Sequence, residues 1–211
     1  MSLAEDMPIR IAIQSSGRLK EPSLDFLRSL GLKFTQNEAR AFVLSCRNGN
    51  IELVFVRHSD IPGYVAGGTV DFGIVGKNLA HERDLPVRVV KELGFGQCRL
   101  VLAVPNNLNI KAAADLNGRR IATSYPNSLN KFLEASQITA SVVEISGSVE
   151  VAPSLGLADA ICDITQSGNT LKANGLRELR TIFRSEAIFI ESLIASERKS
   201  IFNERFMEAI V

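Results

Sequence analysis

The sequence predicts an α/β protein folded as two lobes. Three observations carry this. Short apolar, β-branched runs alternate with stretches of helical spacing along the chain. The alternation falls into two similar clusters, one before and one after about residue 95. With 211 residues, 45% of them hydrophobic, there is enough chain to bury sizeable cores without a disulfide or metal staple. Strand–helix alternation also predicts largely parallel sheets, and two lobes imply a cleft between them, the usual place for a ligand.

The elements follow in order. Ile9–Ile13 is a buried strand, broken by Gly17. From Pro22, Leu24, Leu27, Leu30 and Leu32 recur near helical spacing, and Gly31 closes that helix. Ile51–Val56 is a strand. Ser59-Asp60-Ile61-Pro62 starts a helix that Gly67-Gly68 ends. Val70–Val75 is a strand, Gly76 turns into a further helix, and Pro86–Leu93 is strand-like. In the second cluster Leu100–Val104, Arg120–Thr123, Ser141–Ile145 and Ala160–Ile164 are strands. Ile110–Leu116 is a short helix, a longer one runs from Pro126 to near Ala135, and Val149–Leu157 is helical or turn-like. The polar loop Thr165–Thr170 leads into a short helix over Leu171–Leu176. Strands Arg180–Phe183 and Ala187–Ile190 follow, then a helical pattern through Ile194, Ile201, Phe202, Phe206 and Ile210.

Composition removes several classes of function. With 24 Lys+Arg against 23 Asp+Glu the net charge is +1, so a general nucleic-acid or anionic-membrane surface is not expected. Residues 1–10 contain Glu5, Asp6 and Pro8 and no apolar h-region, and no run approaches the ~18 apolar residues of a membrane span. Cys46, Cys98 and Cys162 have neither zinc-ligand nor Cys-x-x-Cys spacing and are expected as small buried side chains in a reducing compartment. These features predict a soluble cytoplasmic protein.

Three segments can carry chemistry. Asp163-Ile164-Thr165-Gln166-Ser167-Gly168-Asn169-Thr170 follows an apolar strand and opens a helix. Its backbone N–H groups and hydroxyls form a cradle for phosphate, with Gly168 permitting close approach, and Asp163 can accept from a sugar diol. An ordinary polar βα loop would have the same composition. Gln14-Ser15-Ser16-Gly17-Arg18 also ends a strand, and Arg18 offers a bidentate fork to an anion or a solvated charge at a helix start. Asp71-Phe72-Gly73-Ile74-Val75-Gly76-Lys77 has Gly-Lys but lacks the first glycine of a P-loop; Asp71 can meet an amine or a ribose, or the glycines merely serve a buried strand. His58 and His81 are isolated, and no nucleophile–base pair or esterase elbow is present.

The run Ser146-Gly147-Ser148-Val149-Glu150-Val151-Ala152-Pro153, continuing through Gly156–Asp163, Ser167–Leu171 and Asn174-Gly175-Leu176, resembles the ATP phosphoribosyltransferase family. Supporting matches are Ile13–Leu19, Asp60-Ile61-Pro62, Asp71–Lys77, Gly96–Leu100 and Arg120–Pro126, so the resemblance spans about residues 9–190. It implies a two-lobed fold of the type II periplasmic-binding-protein kind with a central cleft. Residues 1–97 with 180–211 would form a discontinuous lobe I, and 98–179 would form lobe II with the phosphoribosyl-binding loop.

The resemblance further implies transfer of phosphoribosyl from phosphoribosyl pyrophosphate to N1 of ATP, the first step of histidine biosynthesis, with Mg²⁺ carried by the substrate rather than by protein ligands. Arg18 and Arg40 would be catalytic. Glu150, Asp163, Thr165, Ser167, Gly168, Asn169 and Thr170 would bind the donor. Gln14, Ser16, Arg18 and Asp71 would bind ATP. Ser16 stands where many short family members have a lysine, which removes a cation near the pyrophosphate. The length fits the short form, expected as a homodimer within a hetero-oligomer with a histidyl-tRNA-synthetase-like regulatory subunit. Gln14–Leu19 and Ser124–Pro126 resemble the long form, so a piece of a longer protein is the other reading. The competing function is a non-catalytic two-lobed binder of a small phosphorylated ligand.

Overall fold

The computed structural model describes residues 7–34 and 42–194. The chain forms two compact units: one from residues up to Gly96 and again from Glu186 onward, the other from Gln97–Ser185. In chain order the first unit contains β1 (Ile9–Gln14), α1 (Lys20–Ser29), β2 (Val43–Ser45), β3 (Ile51–Val56), α2 (Ile61–Ala66), β4 (Phe72–Gly76), α3 (Lys77–Arg83) and β5 (Val87–Glu92). The second holds β6 (Cys98–Pro105), β7 (Arg120–Thr123), α4 (Pro126–Ala135), β8 (Ser141–Glu144), β9 (Ala160–Thr165), α5 (Asn169–Ala173) and β10 (Leu176–Ser185). β11 (Ala187–Ser192) returns to the first unit.

The first sheet has the order β2-β3-β1-β4-β11-β5 and the second β10-β6-β9-β7-β8. β1 is parallel to both β3 and β4, and β7 is parallel to both β8 and β9. The other pairings among the described residues are antiparallel, so the sheets are mixed rather than largely parallel. The antiparallel strands are β6, β10 and β11 around the chain crossings, which do not arrive by a helical crossover, and β2, which folds back directly on β3.

Side-chain chemistry explains the elements. In β1, Ile11, Ala12 and Ile13 are wholly buried, as expected of a central strand covered on both faces. In α1, Leu24 and Leu27 face the core, while Glu21 in the first turn and Arg28 in the last complement the helix dipole. In α4, Pro126 pre-sets the first turn and Leu129 and Leu133 bury against the second sheet. Phe72 and Phe189 stack with ring centroids 5.3 Å apart, locking β4 to β11 inside the first unit.

Several expectations shift. Ile110–Leu116 supplies only a 3-10 turn, Ala113–Leu116. The helix expected over 171–176 is α5, five residues long, and Leu176 already begins β10. β10 stays paired with β6 through Ser185, so residues 180–185 pack in the second unit, not with the first lobe as the sequence reading had it. The C-terminal pattern at Ile201, Phe202, Phe206 and Ile210 lies outside the described residues. Cys46, Cys98 and Cys162 are buried free thiols.

One close approach fixes α2 on the first sheet. A Cβ at Gly73 in β4 would lie 2.8 Å from Ile61 Cγ2 and 2.9 Å from Val65 Cγ2. Gly73→Ala should therefore cost about 1–3 kcal/mol by overpacking, read as a lower urea midpoint with an unchanged slope.

Candidate active site

Because β1, β3 and β4 are parallel, their C-terminal ends share one edge of the first sheet. Gln14 ends β1, and the Ser15 N–H donates to the Val56 carbonyl at 2.8 Å, tying that end to β3. Gly17 has φ +104°, and a Cβ there would meet Gln14 Nε2 at 2.2 Å. Only glycine suits this turn, which carries Ser16 and Arg18 exposed before α1. Gln14 Oε1 is buried without a hydrogen-bond partner.

His58, just past β3, accepts from the Gly76 N–H through Nε2 at 3.1 Å. Burial, and then the nearby Arg18 charge, push its pKa below the usual histidine value. A neutral ring is what that acceptor role requires. Lys77, next along, pairs its ammonium with Glu92.

The second unit has a matching edge. β7 ends beside Cys162, β9 runs on to Thr165, and antiparallel β6 begins beside that end, with Arg99 opposite Thr165. The Thr123 hydroxyl donates to the Cys162 carbonyl at 2.7 Å, and the Ser124 hydroxyl to the Ile145 carbonyl at 2.6 Å. After β9 the loop turns on Gly168, whose φ is +82°. The Gly168 N–H donates to Thr165 Oγ1 at 3.1 Å, and the Asn169 N–H to Ser167 Oγ at 3.4 Å. Each of these oxygens accepts within the loop, so its own O–H is left to donate outward. α5 is only five residues long, so the donors at this edge are these hydroxyls and local N–H groups more than a helix dipole.

Asp163 sits just before this loop in β9. Burial, and more weakly the neighbouring Glu150 charge, raise its carboxyl to about 6, against the lowering effect of the Ile164 N–H. That N–H donates to Asp163 Oδ1 at 2.7 Å. Glu150 lies in the 3-10 turn Val149–Val151, entered through Ser148 at φ +47°. Two acceptors beside a hydroxyl-lined turn suit a phosphorylated sugar: donors for phosphate, carboxylates for the sugar's own O–H groups.

The ATP phosphoribosyltransferase family model matches residues 57–210. An ATP phosphoribosyltransferase of Cytophaga hutchinsonii is 47% identical over 197 residues, covering 93% of this chain and 68% of that protein. The chain belongs to the ATP phosphoribosyltransferase family. A chain of the ATP phosphoribosyl transferase (HisG:HisZ) complex from Thermotoga maritima superposes with a TM-score of 0.79 at 29% identity, covering 96% of this chain and 98% of that one. The aliphatic sulphonate binding protein SsuA of Escherichia coli matches with a TM-score of 0.60 at 16% identity over 97% of this chain and 70% of that one. That likeness shows the fold alone: the two-lobed periplasmic-binding-protein type expected from the sequence.

Within this family member, the structure gathers Glu150, Asp163, Thr165, Ser167, Gly168, Asn169 and Thr170 at one edge of the second unit. It gathers Gln14, Ser16 and Arg18 at one edge of the first. Asp71 is not with them. It lies at the opposite end of β4, 3% exposed, where its Oδ2 accepts from the Arg10 N–H at 2.9 Å. Register explains this: Ile11 pairs with Phe72, so Asp71 meets the start of β1, where its carboxylate accepts from the backbone. Arg40 lies outside the described residues. A cavity of about 470 Å³ in the first unit, lined by Asp60, Tyr64 and Arg83 among others, includes none of the expected residues.

Two side chains at these edges have no site role assigned from the sequence. His58 is a lone histidine without motif spacing, and only the end of β4 gives it a partner. Arg99 directs its guanidinium to the Gln166 carbonyl at 2.8 Å, and only the β6–β9 register reveals that reach.

The Asp163 environment predicts a pH effect on stability. A carboxyl raised to about 6 in the folded state, from 3.8, holds its proton more tightly folded than unfolded. Stability is therefore lost as pH rises through that window. Asp163→Asn removes the effect, so the variant should gain up to about 3 kcal/mol relative to the parent between pH 4 and pH 7. Paired urea titrations at the two pH values check this; a constant difference would contradict the buried, ionising carboxyl.

Proposed function

We propose that the chain is the catalytic subunit that transfers phosphoribosyl from phosphoribosyl pyrophosphate to N1 of ATP, giving phosphoribosyl-ATP and pyrophosphate, as the first step of histidine biosynthesis. The observation that carries the reading is the 47% identity to an ATP phosphoribosyltransferase across 93% of the chain. The alternative, a non-catalytic binder on the same scaffold, has only fold-level likeness in its support.

The residues suit the chemistry. The C1′–oxygen bond to pyrophosphate breaks and the bonding pair leaves with pyrophosphate, while the N1 lone pair forms the new bond to C1′. N1 carries no proton, so no strong base is needed; positioning and charge stabilisation supply the rate. In this reading the O–H groups of Thr165, Ser167 and Thr170 and the N–H groups around Gly168 and Asn169 hold the 5-phosphate. Asp163 and Glu150 accept from the ribose hydroxyls and face the positive charge that develops on the ring. Gln14, Ser16 and Arg18 hold the ATP or pyrophosphate oxygens, with Arg40 a second cation by family resemblance.

Family members use Mg²⁺. Among the described residues no three His, Cys, Asp or Glu side chains converge on a metal position. Asp163 and Glu150 are the two carboxylates beside the donor loop, and Mg²⁺ is commonly held by one or two carboxylates together with substrate phosphates and waters. In this reading Mg²⁺ enters with the substrate and would neutralise the departing pyrophosphate.

The Thermotoga match, a HisG:HisZ complex, supports a hetero-oligomer with a second subunit; the homodimer of catalytic chains and the histidyl-tRNA-synthetase likeness of the regulatory subunit rest on the family resemblance. A cytoplasmic location is in keeping with these substrates; among the described residues no helix is long and apolar enough to cross a membrane.

Incubation with ATP, phosphoribosyl pyrophosphate and Mg²⁺, with and without the regulatory subunit, should yield phosphoribosyl-ATP; no product in either case rejects the activity. Gly168→Val should raise the donor KM at least tenfold while changing the ATP KM less than twofold. Arg18→Ala should lower kcat by tenfold or more, and an unchanged rate would remove Arg18 from the mechanism.

A further inference from the structure

We propose that Arg99, braced by Glu178, is the positioning residue that holds the donor-phosphate loop in its binding shape. The inference rests on the assignment of that loop to the donor and adds how the loop is kept in place. Arg99 is the second residue of β6, opposite Thr165 of β9, where the loop departs. Alternation along β6 puts Arg99 on the face of Val101 and Ala103, which is covered by Val149, Ala152 and Leu171. That face carries the Glu150 turn and α5. From it the Arg99 Nη1 donates 2.8 Å to the Gln166 carbonyl in the middle of the loop. A Cβ on Gly168 would stand 3.9 Å from Arg99 Nη2, so the guanidinium also lies alongside the turn glycine.

The other side of the fork is fully engaged. Arg99 Nε and Nη2 both donate to Glu178 Oε2, at 3.0 and 2.8 Å, and the Thr181 hydroxyl donates to Glu178 Oε1 at 2.6 Å. The geometry depends on an irregularity in β10. Glu178 and Thr181 are three residues apart, which in a regular strand would put them on opposite faces. The register slips between Glu178 and Arg180, so Glu178 faces Ala103 and Thr181 faces Val101, and both reach the face of Arg99. Bulges re-aim side chains in this way beside functional sites. A planar guanidinium can bind a carboxylate and a carbonyl at once along fixed directions; an ammonium cannot reproduce both. Held at Gln166, the peptide between Gln166 and Ser167 is fixed, and with it the hydroxyl and N–H directions of Thr165, Ser167 and Gly168.

The test is steady-state kinetics of the full chain, with each substrate varied in turn, for Arg99→Gln, Arg99→Lys and Glu178→Gln, alongside thermal unfolding. Arg99→Gln should raise the phosphoribosyl pyrophosphate KM at least tenfold and leave the ATP KM within twofold, with kcat at saturating donor reduced less than threefold. Arg99→Lys should recover part of the donor KM, and Glu178→Gln should raise it several-fold. A merely structural brace would lower the melting temperature without splitting the two KM values. An unchanged donor KM in a folded Arg99→Gln, or equal rises for both substrates, overturns the proposal. If Arg99→Gln does not fold, Glu178→Gln, which preserves size and the Thr181 acceptor, decides it by the same split. A wild-type chain that makes no product rejects the function instead; calorimetric binding of phosphoribosyl pyrophosphate to wild type and Glu178→Gln then reads the brace directly. Absence of donor binding by wild type overturns both.

Discussion

Parallel pairing of β1 with β3 and β4, and of β7 with β9, is the constraint on which the two candidate edges rest. Parallel neighbours run toward the same edge of a sheet, so loops distant in sequence emerge on one side. In the first unit this joins the Gln14 turn to His58 and Gly76. In the second it joins the end of β7 to the middle of β9 through the bond from Thr123 to the Cys162 carbonyl. Antiparallel β6 adds what a parallel strand could not: its beginning, and so Arg99, lies beside the end of β9.

The same edges carry opposed electrostatic demands. Asp163 is buried enough to resist ionisation, and Glu150 increases that resistance. Two acidic groups beside a turn rich in donors are therefore poorly satisfied until a ligand supplies hydroxyls or positive charge. The Gln14 amide oxygen, buried without a partner, is the counterpart in the first unit. Unfilled hydrogen-bonding capacity of this kind is a cost that a native fold tolerates at a binding site and seldom elsewhere. His58 is the opposite case: its one observed hydrogen bond already suits the neutral ring that burial imposes.

The main strands were legible in the sequence because they are continuous apolar runs between strong breakers: β1, β3, β4 and β9 all fall where expected. The polar loop after β9 was legible too, since its hydroxyls and Gly168 follow one another directly. What the sequence hid depends on neighbours. β2 has three residues, with Val43 and Ser45 exposed, and owes its existence to the edge of β3. β10 alternates poorly because its register slips, so its length and its membership of the second unit were obscured. Asp71 stood in a glycine-bearing motif, and only the pairing of Phe72 with Ile11 puts it at the far end of the strand. Arg99 and Glu178 are 79 residues apart and meet through β10 pairing with β6.

β11 lies between β4 and β5, every residue of it buried, yet it is the last strand of the described chain. On the ribosome, β4 and β5 emerge long before the strand that joins them. Until residue 187 and its successors appear, the first sheet has two unpaired inner edges, while β6 to β10 are already a contiguous set able to complete their own sheet. The unit encoded second can thus finish first. The interval in which β4 and β5 wait is where a nascent chain of this design is most exposed to wrong strand partners, and to the chaperones that block them.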